Sequence, residues 1–208
     1  MSKVGVGVLA SGRGSNFEAL ARALQRDAFE AGIRVLIVNE PDAPALKRAE
    51  RLDIPAIVVS HRDFKTRQSF ELDLIRNLDH YEVGLVCLAG FMRILSPTFV
   101  DHYPERIMNI HPSLLPAFAG LQGLDIHAAV LAAGVKVTGC TVHFVTNEVD
   151  AGPIIVQRAI PVREEDTPEQ LALRVIIEEH QAYPEAVRLF CEGKLKVEGR
   201  RVRVLDAV

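Results

Sequence analysis

The chain has 208 residues, 49% apolar and 25% charged, enough for one sizeable globular core. Its 24 Lys and Arg stand against 27 Asp and Glu, a net charge of −3 with no long block of like charges, which argues against a nucleic-acid groove or an anionic membrane surface as partner. The longest apolar run, Val83 to Met92, is far short of a membrane span, Arg13 follows the first apolar run too closely for a signal peptide, and the widely separated Cys87, Cys140 and Cys191 suit reduced thiols in a cytosol.

Short apolar runs alternate with longer amphipathic segments, the pattern of strand and helix repeats that build a parallel sheet. Val4 to Ala10 is the first predicted strand. It ends in the turn SGRGSN, and Phe17, Leu20, Ala23 and Leu24 then mark one face of a helix from Asn16 to about Ala31. Ile33 to Val38 follows as a strand, Ala43 to Leu52 as a short helix, Ile54 to Val59 as a strand and Phe64 to about Asp79 as a longer helix. Val83 to Leu88 is apolar throughout, as expected of a strand buried on both faces. Ser96 and Pro97 read as an N-cap and first helical position, opening a short helix that ends before Pro104. Arg106 to Ile110 is the next strand. The irregular stretch HPSLLPAFAGLQGLD comes after it, and long loops in compact domains tend to be functional.

From Val135 the character changes. Val137 to Val145 and Ile154 to Ile160 are β-rich runs separated by the turn-forming NEVDAGP. Thr167 to Gln170 matches a capping box opening a long helix to about Cys191, and KLKVEGRRVRVL reads as two short strands around Gly199. Nothing divides the chain, so a single domain spanning 1–208 is expected, with a soft boundary near residue 100.

Three constellations can carry chemistry. Ser11 to Asn16 is a glycine-rich turn between a strand and a helix, where free backbone N–H groups and the helix dipole suit a phosphate. The competing reading is a capping box between Ser15 and Glu18. Asn109 and His111 bracket one apolar residue at a strand end, so the period-two alternation of a strand puts both on one face at the carboxyl edge. An amide there can donate to an oxyanion and an imidazole can move a proton, although both residues could instead cap local backbone. Asp150, in the turn TNEVDAGP, is by itself an ordinary solvated carboxylate; beside His111 it would hold an imidazolium and raise its pKa. His143 alternates with Val142 and Phe144 and is expected to be a packed core histidine. No His or Cys spacing matches a metal site, and no nucleophile elbow is present.

Taken together, SGRGSN, LAGFMRILSPTFV, NIHPSLLPAFAG, GCTVHFVTNEVDAGPII and EEHQAYP resemble the phosphoribosylglycinamide formyltransferases, folate-dependent enzymes of purine synthesis, in the same order over about the first 190 residues. The resemblance implies an α/β, Rossmann-like formyltransferase fold: a mostly parallel central sheet with helices on both faces and antiparallel additions in the C-terminal half. It implies a phosphate-binding half over 1–100 and a catalytic and folate-binding half over 101–208. The implied reaction is transfer of formyl from 10-formyltetrahydrofolate to the amine of glycinamide ribonucleotide, by direct attack through a tetrahedral intermediate. Asn109, His111 and Asp150 take the family's catalytic positions, with His111 expected to be protonated. Gly14, Ser15 and Asn16 take those of the phosphate loop, and Glu179 that of a ribose contact. Arg67, Met92, Arg93, Ile94, Leu95 and Asn109 take those that touch folate. Ile176 departs from the pattern, standing where many relatives carry a polar residue. No metal or tightly bound cofactor is implied, the partners are small molecules, and a cytoplasmic monomer or homodimer is expected. Two related activities compete: a formyltetrahydrofolate hydrolase, which attacks with water and usually carries an extra N-terminal domain, and a transfer RNA formyltransferase with a basic C-terminal domain. A non-catalytic nucleotide-binding module is the third alternative.

Overall fold

The computed structural model describes residues 4–26 and 31–205, which divide into two compact units between Asn109 and Ile110. In the first unit, β1 (Val4–Ala10) lies at the centre and pairs in parallel with β2 (Ala31–Val38) on one side and β4 (Leu85–Leu88) on the other. Outside these, β3 (Ala56–Val58) pairs in parallel with β2 and β5 (Ile107–His111) with β4. Val6, Val8, Leu9 and Ala10 of β1 are fully buried, as are Val35 to Val38 of β2 and Leu85 to Cys87 of β4. Continuous apolar runs of this kind need cover on both faces, and each buried Val or Leu contributes about 1.5–3 kcal/mol.

The helices α1 (Ser15–Arg26), α2 (Ala45–Arg51), α3 (Arg67–His80) and α4 (Pro97–His102) connect these strands. α1 packs Phe17, Leu20, Ala21, Ala23 and Leu24 inward, the face anticipated from sequence. Residues 27–30 of the expected helix lie outside the described residues, and Ala31, its expected end, belongs to β2. The Ser15 and Glu18 pair is not a reciprocal cap: Ser15 is the first helical residue, and the Glu18 carboxylate goes to Arg22 at 2.7 Å and to Arg48 of α2. Two cationic partners hold a carboxylate better than one backbone N–H can. Ser96 is likewise diverted. It sits at the N-cap position of α4 with extended backbone, but makes no side-chain cap and bonds instead to Glu71.

In the second unit, β6 (Val137–Phe144) and β7 (Ile154–Pro161) pair antiparallel, and the hairpin β8 (Leu195–Glu198) and β9 (Arg201–Val204) joins through a parallel β7 and β9 bridge. The long helix α6 (Pro168–Cys191) opens with the expected capping box, Thr167 with Gln170, and packs on β6, β7 and the helix α5 (Leu124–Ala132). α5 takes up the end of the stretch expected to be irregular. Its N-cap is Gly123 at φ 58°, without a side-chain cap, so neither a polar cap nor a clear amphipathic period announces it. Mostly parallel strands at the start, antiparallel additions after residue 137 and interspersed helices make the chain an α/β protein, as expected. No helix among the described residues is long and apolar enough to cross a membrane.

Candidate active site

The turn after β1 is held from several sides within the first unit. The Ser11 backbone N–H donates to Gly90 at 3.0 Å, and its hydroxyl donates to the buried Asn39 Oδ1 at 2.6 Å while accepting the Met92 N–H at 2.8 Å. Asn39 passes its own amide to His61 Nδ1 at 3.3 Å. On the other flank, Arg48 Nε donates to the Arg13 carbonyl at 2.7 Å and the Ala45 N–H to Gly12 at 3.2 Å. Gly14 has φ +70° and rests on α2: a Cβ there would stand 2.6 Å from Ala45 Cβ, so only glycine fits. Gly14, Ser15 and Asn16 thus lie at the N-terminal end of α1, where the positive end of the helix dipole suits an anion.

Ser11 also joins this turn to the segment after β4. Of the residues expected to touch folate, Met92, Arg93 and Ile94 are exposed and Leu95 is buried. An exposed Met and Ile in one short segment offer apolar groups of the kind a flat heteroaromatic ring can rest on. Arg67, the first residue of α3, is exposed, and its Nε donates to Glu71 at 3.0 Å. Glu71, which the sequence reading did not single out, is buried and receives both Arg67 and Ser96.

β5 ends at the buried His111, two residues after the half-buried Asn109 on the same strand. His111 lies between two acceptors: Nδ1 is 3.5 Å from Asp150 Oδ2, and Nε2 is 3.3 Å from the Phe118 carbonyl. Phe118 was not anticipated, because a carbonyl acceptor has no side-chain signature. The loop between these residues is fixed by β6 and β7. The Thr141 hydroxyl donates to the Ser113 carbonyl at 2.7 Å and accepts the Leu115 N–H at 3.0 Å, while Gln157 Nε2 reaches both Thr141 Oγ1 and the Leu115 carbonyl at 3.0 Å. Ser113 Oγ donates to the Ala117 carbonyl at 2.6 Å, which occupies it structurally.

Asp150 is presented by a tight turn, with φ 52°. Its Oδ2 accepts the Gly120 N–H at 2.8 Å, and Oδ1 is 3.9 Å from Nε2 of His143, a buried histidine as expected, whose Nδ1 donates to the Phe144 carbonyl at 2.9 Å. Electrostatics correct one expectation. The His111 pKa is lowered from its ordinary 6.5, because desolvation outweighs Asp150 and the Phe118 carbonyl, which both raise it. At neutral pH the resting ring is therefore uncharged. A neutral imidazole can donate to only one of its two flanking acceptors, whereas an imidazolium satisfies both, so the pocket is built to receive a proton.

Glu179, on the buried face of α6, is itself buried, with Ile176 half-buried one turn before it. Burial of Cys140, and after it the nearby Glu179 charge, push that thiol up to about 12, which leaves the cysteine an inert core residue. Among the described residues, no group of three or more His, Cys, Asp or Glu gathers as a metal site would.

Residues 5–187 match the formyl transferase family model. The chain is 47% identical over 196 residues to the trifunctional purine biosynthetic protein adenosine-3 of Gallus gallus, which covers 94% of this chain but only 19% of that protein's length. It is 40% identical over 190 residues to phosphoribosylglycinamide formyltransferase of Escherichia coli, covering 91% of this chain and 88% of the relative. Glycinamide ribonucleotide transformylase 1 from Symbiobacterium toebii superposes with a TM-score of 0.94 at 47% identity, over 99% of this chain and 95% of that one.

Proposed function

Because the chain belongs to the formyl transferase family, we propose that it transfers the formyl group of 10-formyltetrahydrofolate to the amine of glycinamide ribonucleotide, a step of purine nucleotide synthesis. The observation that carries this reading is the buried His111 between Asp150 and the Phe118 carbonyl, with Asn109 two residues before it on β5.

The chemistry follows from the protonation state. The substrate amine attacks the formyl carbon, forming a carbon–nitrogen bond and a tetrahedral oxyanion that the Asn109 amide receives as a hydrogen-bond donor. The neutral His111 takes the proton that the amine sheds. The resulting imidazolium is held by Asp150, which is placed for it but too weak to charge the resting ring against desolvation. Its Nε2–H bond to Phe118, at 3.3 Å, is long and readily exchanged for the oxyanion. The proton then passes to N10 of the folate as the original carbon–nitrogen bond breaks, giving formylated amide and tetrahydrofolate.

On this reading Gly14, Ser15 and Asn16 hold the ribonucleotide phosphate and Glu179 its ribose. Arg67, Met92, Arg93, Ile94, Leu95 and Asn109 contact the folate. That folate is a consumed co-substrate and no resident cofactor takes part. The partners are two small molecules, and the enzyme works in the cytoplasm as a monomer or homodimer. An assay of tetrahydrofolate release from 10-formyltetrahydrofolate, with and without glycinamide ribonucleotide, tests the proposal. Release that requires the amine is the expected result. Release in its absence would establish a hydrolase, and no release under either condition a binding module.

A further inference from the structure

Glu71 is a carboxylate on the inward face of α3, between Phe70 and Leu74, with 2% of its surface exposed. A charge so placed must be matched by donors or it destabilises the fold. The matching donors come from two places. Arg67, one helical turn back, gives its Nε at 3.0 Å; Ser96 gives its backbone N–H at 2.8 Å and its hydroxyl as well. Arg67 and the segment ending at Leu95 are the two surfaces assigned above to folate, and Ser96 is the residue that closes that segment. Ser96 also gives up the N-cap of α4 to reach Glu71, so the contact displaces a favourable alternative.

We propose that Glu71 is a positioning residue for folate: one buried carboxylate that fixes the Arg67 guanidinium and the Met92 to Leu95 segment relative to each other before the co-substrate arrives. The inference rests on the folate assignments of the proposed function. Binding Arg67 through Nε engages one nitrogen of a side chain that stays half exposed, and its two terminal nitrogens are the pair an arginine can offer to a carboxylate. An exposed arginine without such an anchor samples many rotamers, all but one of which must be given up on binding. Anchoring the segment at Ser96 likewise limits the positions of the exposed Met92 and Ile94. Glu71 touches no substrate; it acts through groups that do.

The test compares steady-state constants of Glu71→Gln, Arg67→Ala and the double variant with the wild type, alongside calorimetric binding of a non-reactive folate analogue. Gln keeps the volume but removes the charge that holds both donors. For Glu71→Gln, KM for 10-formyltetrahydrofolate and the analogue Kd should rise about tenfold. Turnover at saturation and KM for glycinamide ribonucleotide should change by less than about twofold, because a lost positioning contact is uniform in ground and transition state. The double variant should bind folate no more weakly than Arg67→Ala by more than about threefold, as expected of coupled residues. Unchanged folate constants, or equal losses in both KM values and turnover, would overturn the role. Should Glu71→Gln fail to fold, Ser96→Ala takes its place with an expected rise in folate KM of about threefold, and an unchanged value there is equally decisive. Analogue binding that depends on Glu71 in a protein lacking formyl transfer would sink the proposed reaction and leave the positioning role standing.

Discussion

Asp150 Oδ2 stands 3.5 Å from His111 Nδ1 while also accepting the Gly120 N–H at 2.8 Å, so the carboxylate is fixed by backbone before it meets the ring. It raises the His111 pKa, and desolvation lowers it further than Asp150 restores. Asp150→Asn keeps the size of the side chain and removes the charge. Turnover should fall on the order of 10²–10⁴-fold, the range for a disabled acid–base pair. The acid limb of kcat/KM, which reports protonation of free His111, should lie below 6.5 in the wild type. In the variant it should move lower still, because the raising influence is gone. A pH–rate profile of both proteins checks the sign; an acid limb that moves up would remove His111 as the base.

Asn109 has a separate task. If its amide stabilises the oxyanion, Asn109→Ala should lose about 10²–10³ in turnover, corresponding to about 2.7–4 kcal/mol, with KM for glycinamide ribonucleotide little altered and KM for the folate, which it also contacts, raised. Single-turnover kinetics separate this from slow product release. Near-normal turnover in a folded variant would assign Asn109 to backbone capping alone.

These two residues were legible in the sequence because a strand alternates with period two and β5 does hold Asn109 and His111 at its end. β1, β6, β7, the capping box of α6 and the final hairpin were legible for similar local reasons. What escaped depends on partners distant in sequence or on backbone groups. Ser96 reads as an N-cap until Glu71 claims it, and Arg67 with Glu71 reads as an ordinary surface pair at helical spacing until Glu71 proves to be buried. The Phe118 carbonyl carries no side-chain signal, and α5 begins at a glycine with positive φ in place of a polar cap. The balance of burial against charge at His111 is not legible either, because the resemblance supplies the carboxylate but not the desolvation.

Gly14→Ala tests the turn after β1. The added methyl would stand 2.6 Å from Ala45 Cβ and occupy φ +70°, costing on the order of 1–3 kcal/mol. The strain moves the first N–H groups of α1, so KM for glycinamide ribonucleotide should rise more than KM for the folate. Thermal unfolding and the two KM values measure both effects, and an equal rise in the two KM values would detach Gly14 from phosphate binding.

Thr141→Val tests the loop that carries the His111 surroundings. The hydroxyl is fully buried and serves Ser113, Leu115 and Gln157. Valine keeps the shape but leaves the Leu115 N–H without that acceptor, a cost of about 1–3 kcal/mol. Chemical denaturation should show that loss, and turnover should fall with it if the loop keeps Phe118 at His111. Unchanged stability would mean water or a shifted Gln157 satisfies the amide.

Buried histidines set the response of the fold to acid. His111, His127 and His143 all have pKa values lowered from 6.5, in each case chiefly by desolvation. Above about pH 6.5 both folded and unfolded forms carry these rings neutral and stability is full. As pH falls below that value the unfolded chain takes up protons that the folded chain resists, so stability is lost until the folded values are reached. The unfolding midpoint should therefore be flat from pH 8 to 7 and decline toward pH 5 (~6.5 marking the turn). His127 Nδ1 is buried with no hydrogen-bond partner among the described residues, and the residue lies on α5 outside the proposed catalytic set. His127→Leu removes one titrating group without touching the mechanism, and it should flatten the decline while leaving the pH–rate profile in place. A decline as steep as in the wild type would show that His127 takes up its proton as readily in the folded protein as in the unfolded chain.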